Sequence, residues 1–108
     1  MAVSQWIKVA FVEDVEPGTG FQVEIDDVPV ALWNVEGDFY ATSDTCSHEE
    51  ATLTEGDLWD NLIECPLHGA QFDVRTGEPR TLPAVLPIAT YPVRVDGDAL
   101  YIEWMRDR

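Results

Sequence analysis

Two short segments hold every cysteine and every histidine of this 108-residue chain: Cys46-Ser47-His48 and, after sixteen intervening residues, Cys65-Pro66-Leu67-His68. Each segment offers one thiol and one imidazole within two or three positions, so a single loop can aim both at a common centre. Two such loops make a four-ligand site for a metal that accepts sulfur and nitrogen. Chance rarely gathers a chain's only two cysteines and only two histidines in this way. Zinc also takes two Cys and two His in a tetrahedral site, but zinc knuckles usually pair like with like, whereas each loop here mixes the two. A Cys-His nucleophilic pair would need a positioned third group and an oxyanion site, and the sequence offers a candidate for neither. Inert core thiols and histidines fit poorly beside Pro66 and Gly69, which shape a loop better than a strand.

The elements that must position these loops read as short strands. Trp6 to Ala10, Phe21 to Ile25, Pro29 to Val35 and Phe39 to Thr42 are rich in β-branched and aromatic residues, bounded by Pro17-Gly18, Asp26-Asp27 and Glu36-Gly37-Asp38. Hairpin links between successive strands are expected. Tyr91 to Val95 alternates, Asp96-Gly97-Asp98 supplies a tight turn, and Leu100 to Trp104 returns. Helical periodicity is weak and the seven prolines are scattered, which predicts an all-β antiparallel sandwich or barrel. Between residues 43 and 87 the pattern becomes loop-rich, with strand candidates only at Leu62 to Glu64 and Gln71 to Val74. Ordering that much loop costs about 1–2 kcal/mol per residue, which a metal centre would offset.

The length fits a single domain, 1–108, with 43–87 as a smaller inserted part. The longest apolar stretch, Val28 to Trp33, is far short of the roughly 20 residues a membrane span requires. With no basic leader at the N-terminus, a cytoplasmic location is expected, where two cysteines stay reduced and read as ligands before they read as a disulfide. Against 21 Asp and Glu stand 6 Lys and Arg, a formal charge of −15. That sign excludes phosphate-backbone binding and favours a basic patch on another protein. Seven of the acidic residues lie between Asp44 and Glu64, where there is no Lys or Arg. Trp6, Trp33 and Trp104, in strand candidates, are expected in the core, and Trp59 is expected to pack locally before it serves as a docking aromatic. Gly18-Thr19-Gly20 lacks the third glycine and the helix of a dinucleotide fingerprint, so any NADH chemistry must lie on a separate protein.

The pattern C-x-H-x16-C-x-x-H, the approach Phe39-Tyr40-Ala41, the run Ile63-Glu64-Cys65-Pro66-Leu67-His68-Gly69 and the following Phe72-Asp73-x-x-Thr76-Gly77 resemble small Rieske ferredoxins over essentially the whole chain. The resemblance implies an antiparallel β fold with a smaller inserted cluster-binding subdomain. It implies one 2Fe-2S cluster with Cys46 and Cys65 on the inner iron and His48 and His68 on the outer one, since histidines replace two cysteines on one iron of such centres. The imidazole edges would face docking partners, and Pro83 would belong to a loop covering the cluster.

High-potential members carry an extra cysteine in each loop plus a serine and a tyrosine. By motif position those places here hold Ala51, Leu67, Ala70 and Phe72, which cannot form a disulfide or donate a hydroxyl hydrogen bond. A potential toward the low end of the Rieske range is therefore expected. Glu49 and Glu50 follow His48 where many relatives begin with glycine, a departure that bears on partner choice. The resemblance is nearest to ferredoxin components of bacterial aromatic-ring dioxygenase systems. It implies a monomeric one-electron carrier, not itself an enzyme, between a flavin-containing reductase and a terminal oxygenase. The alternative is the small Rieske subunit of an assimilatory nitrite reductase.

Overall fold

In the computed structural model, residues 2–46, 51–66, 69–81 and 86–107 are described. The described residues form ten strands: β1 (Ala2–Phe11), β2 (Gly20–Ile25), β3 (Val28–Val35), β4 (Asp38–Ser43), β5 (Asp57–Trp59), β6 (Leu62–Glu64), β7 (Gln71–Asp73), β8 (Thr90–Tyr91), β9 (Val93–Asp96) and β10 (Ala99–Asp107). They make three antiparallel sheets, in the orders β1-β10-β9, β2-β3-β4-β8 and β5-β6-β7. The expected all-β antiparallel class is what the chain adopts.

The hairpins form where the turn residues allow them. Asp26 and Asp27, between β2 and β3, both hold positive φ, of 50° and 66°, as do Glu36 and Gly37 between β3 and β4, at 52° and 95°. Positive φ at both central residues gives the turn twist that matches right-twisted strands. The N–H of Gly37 donates to Asn34 Oδ1 at 2.8 Å, which closes the second turn.

Strand β3 explains how the sheets stack. Residues 30–34 are buried without a break, because this central strand is covered on both faces. Val30 and Leu32 join Ala10, Val15, Ile25, Ala41, Leu100, Ile102 and Trp104 in a core against the β1-β10-β9 sheet. Ala31 and Trp33 point the other way, into a second core with Cys46, Leu53, Ile63, Cys65, Phe72, Val74 and Ile88. The four-stranded sheet is thus a middle layer, and the segment bearing the cysteines packs on its far face. Trp33 fits there because Gly20, its cross-strand partner, leaves room for the ring, and its Nε1 donates to Thr42 Oγ1 at 2.9 Å.

Several elements depart from sequence expectation. Strand β1 does not form a hairpin with β2; a 3-10 turn over Val12–Asp14 and Pro17 carry the chain away, and β1 pairs instead with β10, Trp6 opposite Glu103. The predicted strand over Tyr91 to Val95 divides at Pro92, which has no N–H to donate, so that β8 joins β4 in one sheet and β9 joins β10 in another. Strand β5 was not expected; its sequence Asp-Leu-Trp carries no β-branched residue, and pairing with β6 imposes the conformation. Trp6 is 39% exposed, because strand alternation turns its neighbour Ile7 toward the core and leaves the indole under the Arg94 guanidinium, 4.8 Å away.

The turn after β7 is held by glycine. Gly77 has φ +81° and donates to Asp73 O at 2.6 Å, while its own carbonyl accepts from Ile88 N–H at 2.9 Å. A β-carbon there would collide with Ile88 O. Gly77→Ala is expected to cost about 3 kcal/mol or more, read as a lowered urea midpoint at unchanged slope.

Candidate metal centre

The two cysteines occupy equivalent places in two loops. In the first, which follows β4, Leu53 N–H donates to Asp44 O at 2.8 Å, Thr45 bridges Thr52, and Cys46 N–H donates to Ala51 O at 2.9 Å. In the second, Glu64 pairs with Gln71 at the end of the β6-β7 hairpin, and Cys65 N–H donates to Ala70 O at 2.7 Å. Each cysteine therefore ends a short antiparallel ladder, and each N–H reaches the carbonyl five residues on. Gly69 closes the second loop with a bond of 3.0 Å to Cys65 O, at a φ of +71° that glycine adopts without strain. Both cysteines are buried and outside any disulfide, with 4% exposure at Cys46 and 2% at Cys65, and both belong to the core that contains Trp33, Ile63 and Phe72.

His48 and His68 lie outside the described residues, as do Glu49, Glu50, Leu67 and Pro83. Among the described residues no three His, Cys, Asp or Glu side chains gather in a metal-binding group. The residues that are described fit a thiolate-held cluster. Two buried thiols outside any disulfide share one core, and the buried neighbours Ala51, Ala70 and Phe72 carry no hydroxyl group.

Two carboxylates that sequence reasoning left without a role hold this region in place. Asp44 is buried, and its oxygens accept from Thr54 N–H at 2.8 Å, Thr54 Oγ1 at 2.9 Å and Gln22 Nε2 at 2.6 Å. It ties the first loop to β2. Asp73, at the end of β7, is also buried and accepts from the Arg75 backbone at 2.9 Å and from Arg75 Nε at 3.1 Å; Arg80 reaches it at 3.3 Å. Burial alone would raise its pKa, but the hydrogen bonds from Arg75, Asn61 and Arg80 outweigh that and hold it well below the usual carboxylate range. The available signal was the Asp73-x-Arg75 spacing with Arg80 beyond, which puts opposite charges within reach of one turn.

A depressed folded-state pKa stabilises the protein above the unfolded value near 4, and the contribution is lost as pH falls. Wild type should therefore exceed Asp73→Asn in urea midpoint at pH 7, with the gap closing progressively below about pH 4. A gap that stayed constant to pH 2 would refute this account.

Trp59, expected to pack locally, is instead 63% exposed on the edge strand β5, between the exposed Asp57 and Asp60. With Leu58, Trp33, Thr54 and Gly18 to Gly20 it lines an open cleft of about 370 Å³. Strand β2, not a helix, begins at Gly20.

A profile of the Rieske [2Fe-2S] domain matches residues 5–92. The chain is 42% identical over 96 residues to the ferredoxin component of biphenyl 2,3-dioxygenase from Rhodococcus jostii, covering 89% of this chain and 90% of that protein. The ferredoxin of carbazole 1,9a-dioxygenase from Nocardioides aromaticivorans superposes with a TM-score of 0.87 at 39% identity, over 91% of this chain and 96% of that one. A chain from a complex of reduced oxygenase and oxidized ferredoxin in carbazole 1,9a-dioxygenase superposes with a TM-score of 0.85 at 41% identity, over 90% and 91% of the two chains. A nitrite reductase small subunit from Mycobacterium tuberculosis, at 21% identity and a TM-score of 0.81, shares the fold alone. The two thiol-bearing loops, their common core and these likenesses lead to one assignment: the chain belongs to the Rieske [2Fe-2S] domain family and carries one Rieske-type 2Fe-2S cluster.

Proposed function

We propose that this chain is a cytoplasmic, monomeric one-electron carrier without catalysis of its own. It takes electrons from a flavin-containing, NADH-dependent reductase and passes them to the Rieske centre of a terminal aromatic-ring dioxygenase. The observation that carries this is the pair of buried thiols at matching ends of two loops, in a chain whose relatives are ferredoxin components of dioxygenases. On this assignment Cys46 and Cys65 hold one iron and His48 and His68 the other, within a cluster-binding part spanning 43–87 of a single domain, 1–108. When bound, the cluster supplies reversible acceptance of one electron.

The residues of the chain supply the rest. Trp33, Ile63 and Phe72 exclude water from the thiol side, and the ladder bonds to Ala51 and Ala70 fix the two loops. The exposed Glu55, Asp57 and Asp60 around Trp59 suit a basic partner surface, with an attraction that weakens as salt rises. A charge of −15 opposes self-association. No described helix is long and apolar enough to cross a membrane.

Reconstitution tests the role. Added to an NADH-dependent flavin reductase and a terminal ring dioxygenase of the biphenyl type, the protein should support substrate hydroxylation that stops when it is left out. Co-purification in fixed ratio with a siroheme-containing chain, and no support of any oxygenase, would favour a nitrite reductase subunit. Direct voltammetry should give a wave near the lower bound of about −150 mV for Rieske centres. A wave in the upper half of that range would contradict tuning by an acidic, hydroxyl-free surround.

A further inference from the structure

Trp59 is the most exposed large apolar side chain among the described residues. It stands on β5, the edge strand of the sheet that leads into the second cysteine loop. Strand alternation sets its direction. Leu58 turns inward and packs on the core that holds both cysteines, so Asp57 and Trp59 turn outward together.

Other exposed rings of this chain are covered by its own cations. The Arg94 guanidinium lies 4.8 Å from the Trp6 ring and 5.5 Å from the Tyr101 ring, and Lys8 Nζ lies 4.2 Å from the Phe11 ring. Arg75 and Arg80 are held by Asp73. Among the described residues no Lys or Arg lies over Trp59, and none lines its cleft. The surroundings have the opposite sign: Glu55, Asp57 and Asp60 are exposed beside the ring, and Glu16 O accepts from the Thr19 N–H on the facing segment. A cation placed here is drawn both by the face of the indole and by the carboxylates.

The cleft has room for one. It opens between Gly18 to Gly20 and Gly56 to Trp59, and the missing side chains of Gly18, Gly20 and Gly56 keep it clear. Arginine suits it better than lysine, because a planar, weakly hydrated guanidinium stacks on an aromatic face and still forks to carboxylates. Trp59 pairs with Leu62, three residues before Cys65, which at about 3.3 Å per residue puts it about 10 Å along the strand from the thiol. A standard interface of about 800 Å² per partner has a radius of about 16 Å, so a partner centred on the cysteine loops still reaches Trp59.

We propose that this cleft is a docking site for an arginine of the terminal oxygenase, stacked on Trp59 and paired with the surrounding carboxylates, and that it sets the carrier's affinity for that partner. The proposal rests on the reading that the chain delivers electrons to such an oxygenase, and it goes beyond general acidity by naming one anchoring ring. The oxygenase is chosen over the reductase because, in the carbazole 1,9a-dioxygenase complex, an oxygenase is what the ferredoxin is bound to.

Hydroxylation is measured against carrier concentration, using the terminal oxygenase that wild type supports in reconstitution, with reductase in excess. A second arm follows reduction of the carrier by the reductase alone. Trp59→Ala should raise the KM for the carrier in the oxygenase arm about tenfold at unchanged maximal rate, the scale of a lost anchor residue. Trp59→Phe keeps a ring and should raise it less. Thr19→Lys gives the cleft a cation of its own and should raise it as well. The reductase arm, the visible spectrum and the reduction potential should match wild type in all three.

An unmoved KM in Trp59→Ala overturns the proposal, as does a loss confined to the reductase arm, a loss equal in both arms, or a fall in maximal rate alone. Should Trp59→Ala fail to fold, Thr19→Lys decides: a raised KM in the oxygenase arm alone supports the proposal, and an unmoved one overturns it. Wild type that supports no oxygenase would remove the proposed function, and this docking site with it, before any variant is compared.

Discussion

Cys65→Ala protein should purify colourless, with neither iron nor acid-labile sulfide, while wild type carries two of each per chain. Cys65 is buried at the end of the β6-β7 hairpin, in a packed core with Ile63, Ala70 and Phe72. Alanine suits those surroundings and leaves the Cys65 N–H bond to Ala70 O in place, so the fold loses little by direct packing. What is lost, on the proposed ligand assignment, is one of two thiolates, and two histidines with a single thiolate do not make a Rieske ligand set. Iron and sulfide analysis with visible absorbance reads the result, and far-ultraviolet circular dichroism shows whether the strands persist. A brown variant with full iron content would remove Cys65 from the ligand set.

The other large effect concerns His68. On the proposed ligand assignment, exchanging it for cysteine replaces a neutral imidazole by a thiolate, adding negative charge at the iron it holds. Centres with two histidines lie at about −150 to +300 mV and all-cysteine plant-type centres near −400 mV, so one exchange should lower the potential on the order of 100 mV. The measurement is voltammetry on the cluster-bearing fraction of His68→Cys. An unchanged potential at full cluster content would mean that His68 is not a ligand.

Both predictions depend on residues whose types and spacing were visible in the chain. Cys46, His48, Cys65 and His68 are proposed as ligands because a soft, mixed ligand set needs those chemistries within reach, and loop spacing of two or three residues is a local property. Most strands were legible for a similar reason. Alternation and turn residues such as Asp26-Asp27 and Glu36-Gly37 act over a few positions, and β2, β3, β4, β6 and β10 lie close to where the pattern places them.

Other features depended on contacts far apart in sequence. Strand β1 looks like the first arm of a hairpin, yet its partner is β10 at the opposite end of the chain, and nothing local in Trp6 to Ala10 encodes that pairing. Tyr91 to Val95 looks continuous; the ladder to β4 ends at Tyr91, and beyond Pro92 the chain pairs with β10 in another sheet. Asp57–Trp59 becomes a strand only because β6 is beside it. The exposure of Trp6 and Trp59 followed from which face of each strand met a neighbouring sheet.

The division between what the residues determined alone and what folding decided follows from range. Ligand chemistry, turn propensity and strand periodicity are set within a few covalent bonds of each residue, so the metal-binding pattern and the all-β class are properties of the sequence itself. The placing of Ala31 and Trp33 on the thiol side of β3, with Val30 and Leu32 on the other, and the capture of Asp44 by Gln22 and Thr54, arise only when distant segments are brought together. Burial and the electrostatics that follow from it belong to the tertiary structure, because they depend on which surfaces exclude water together.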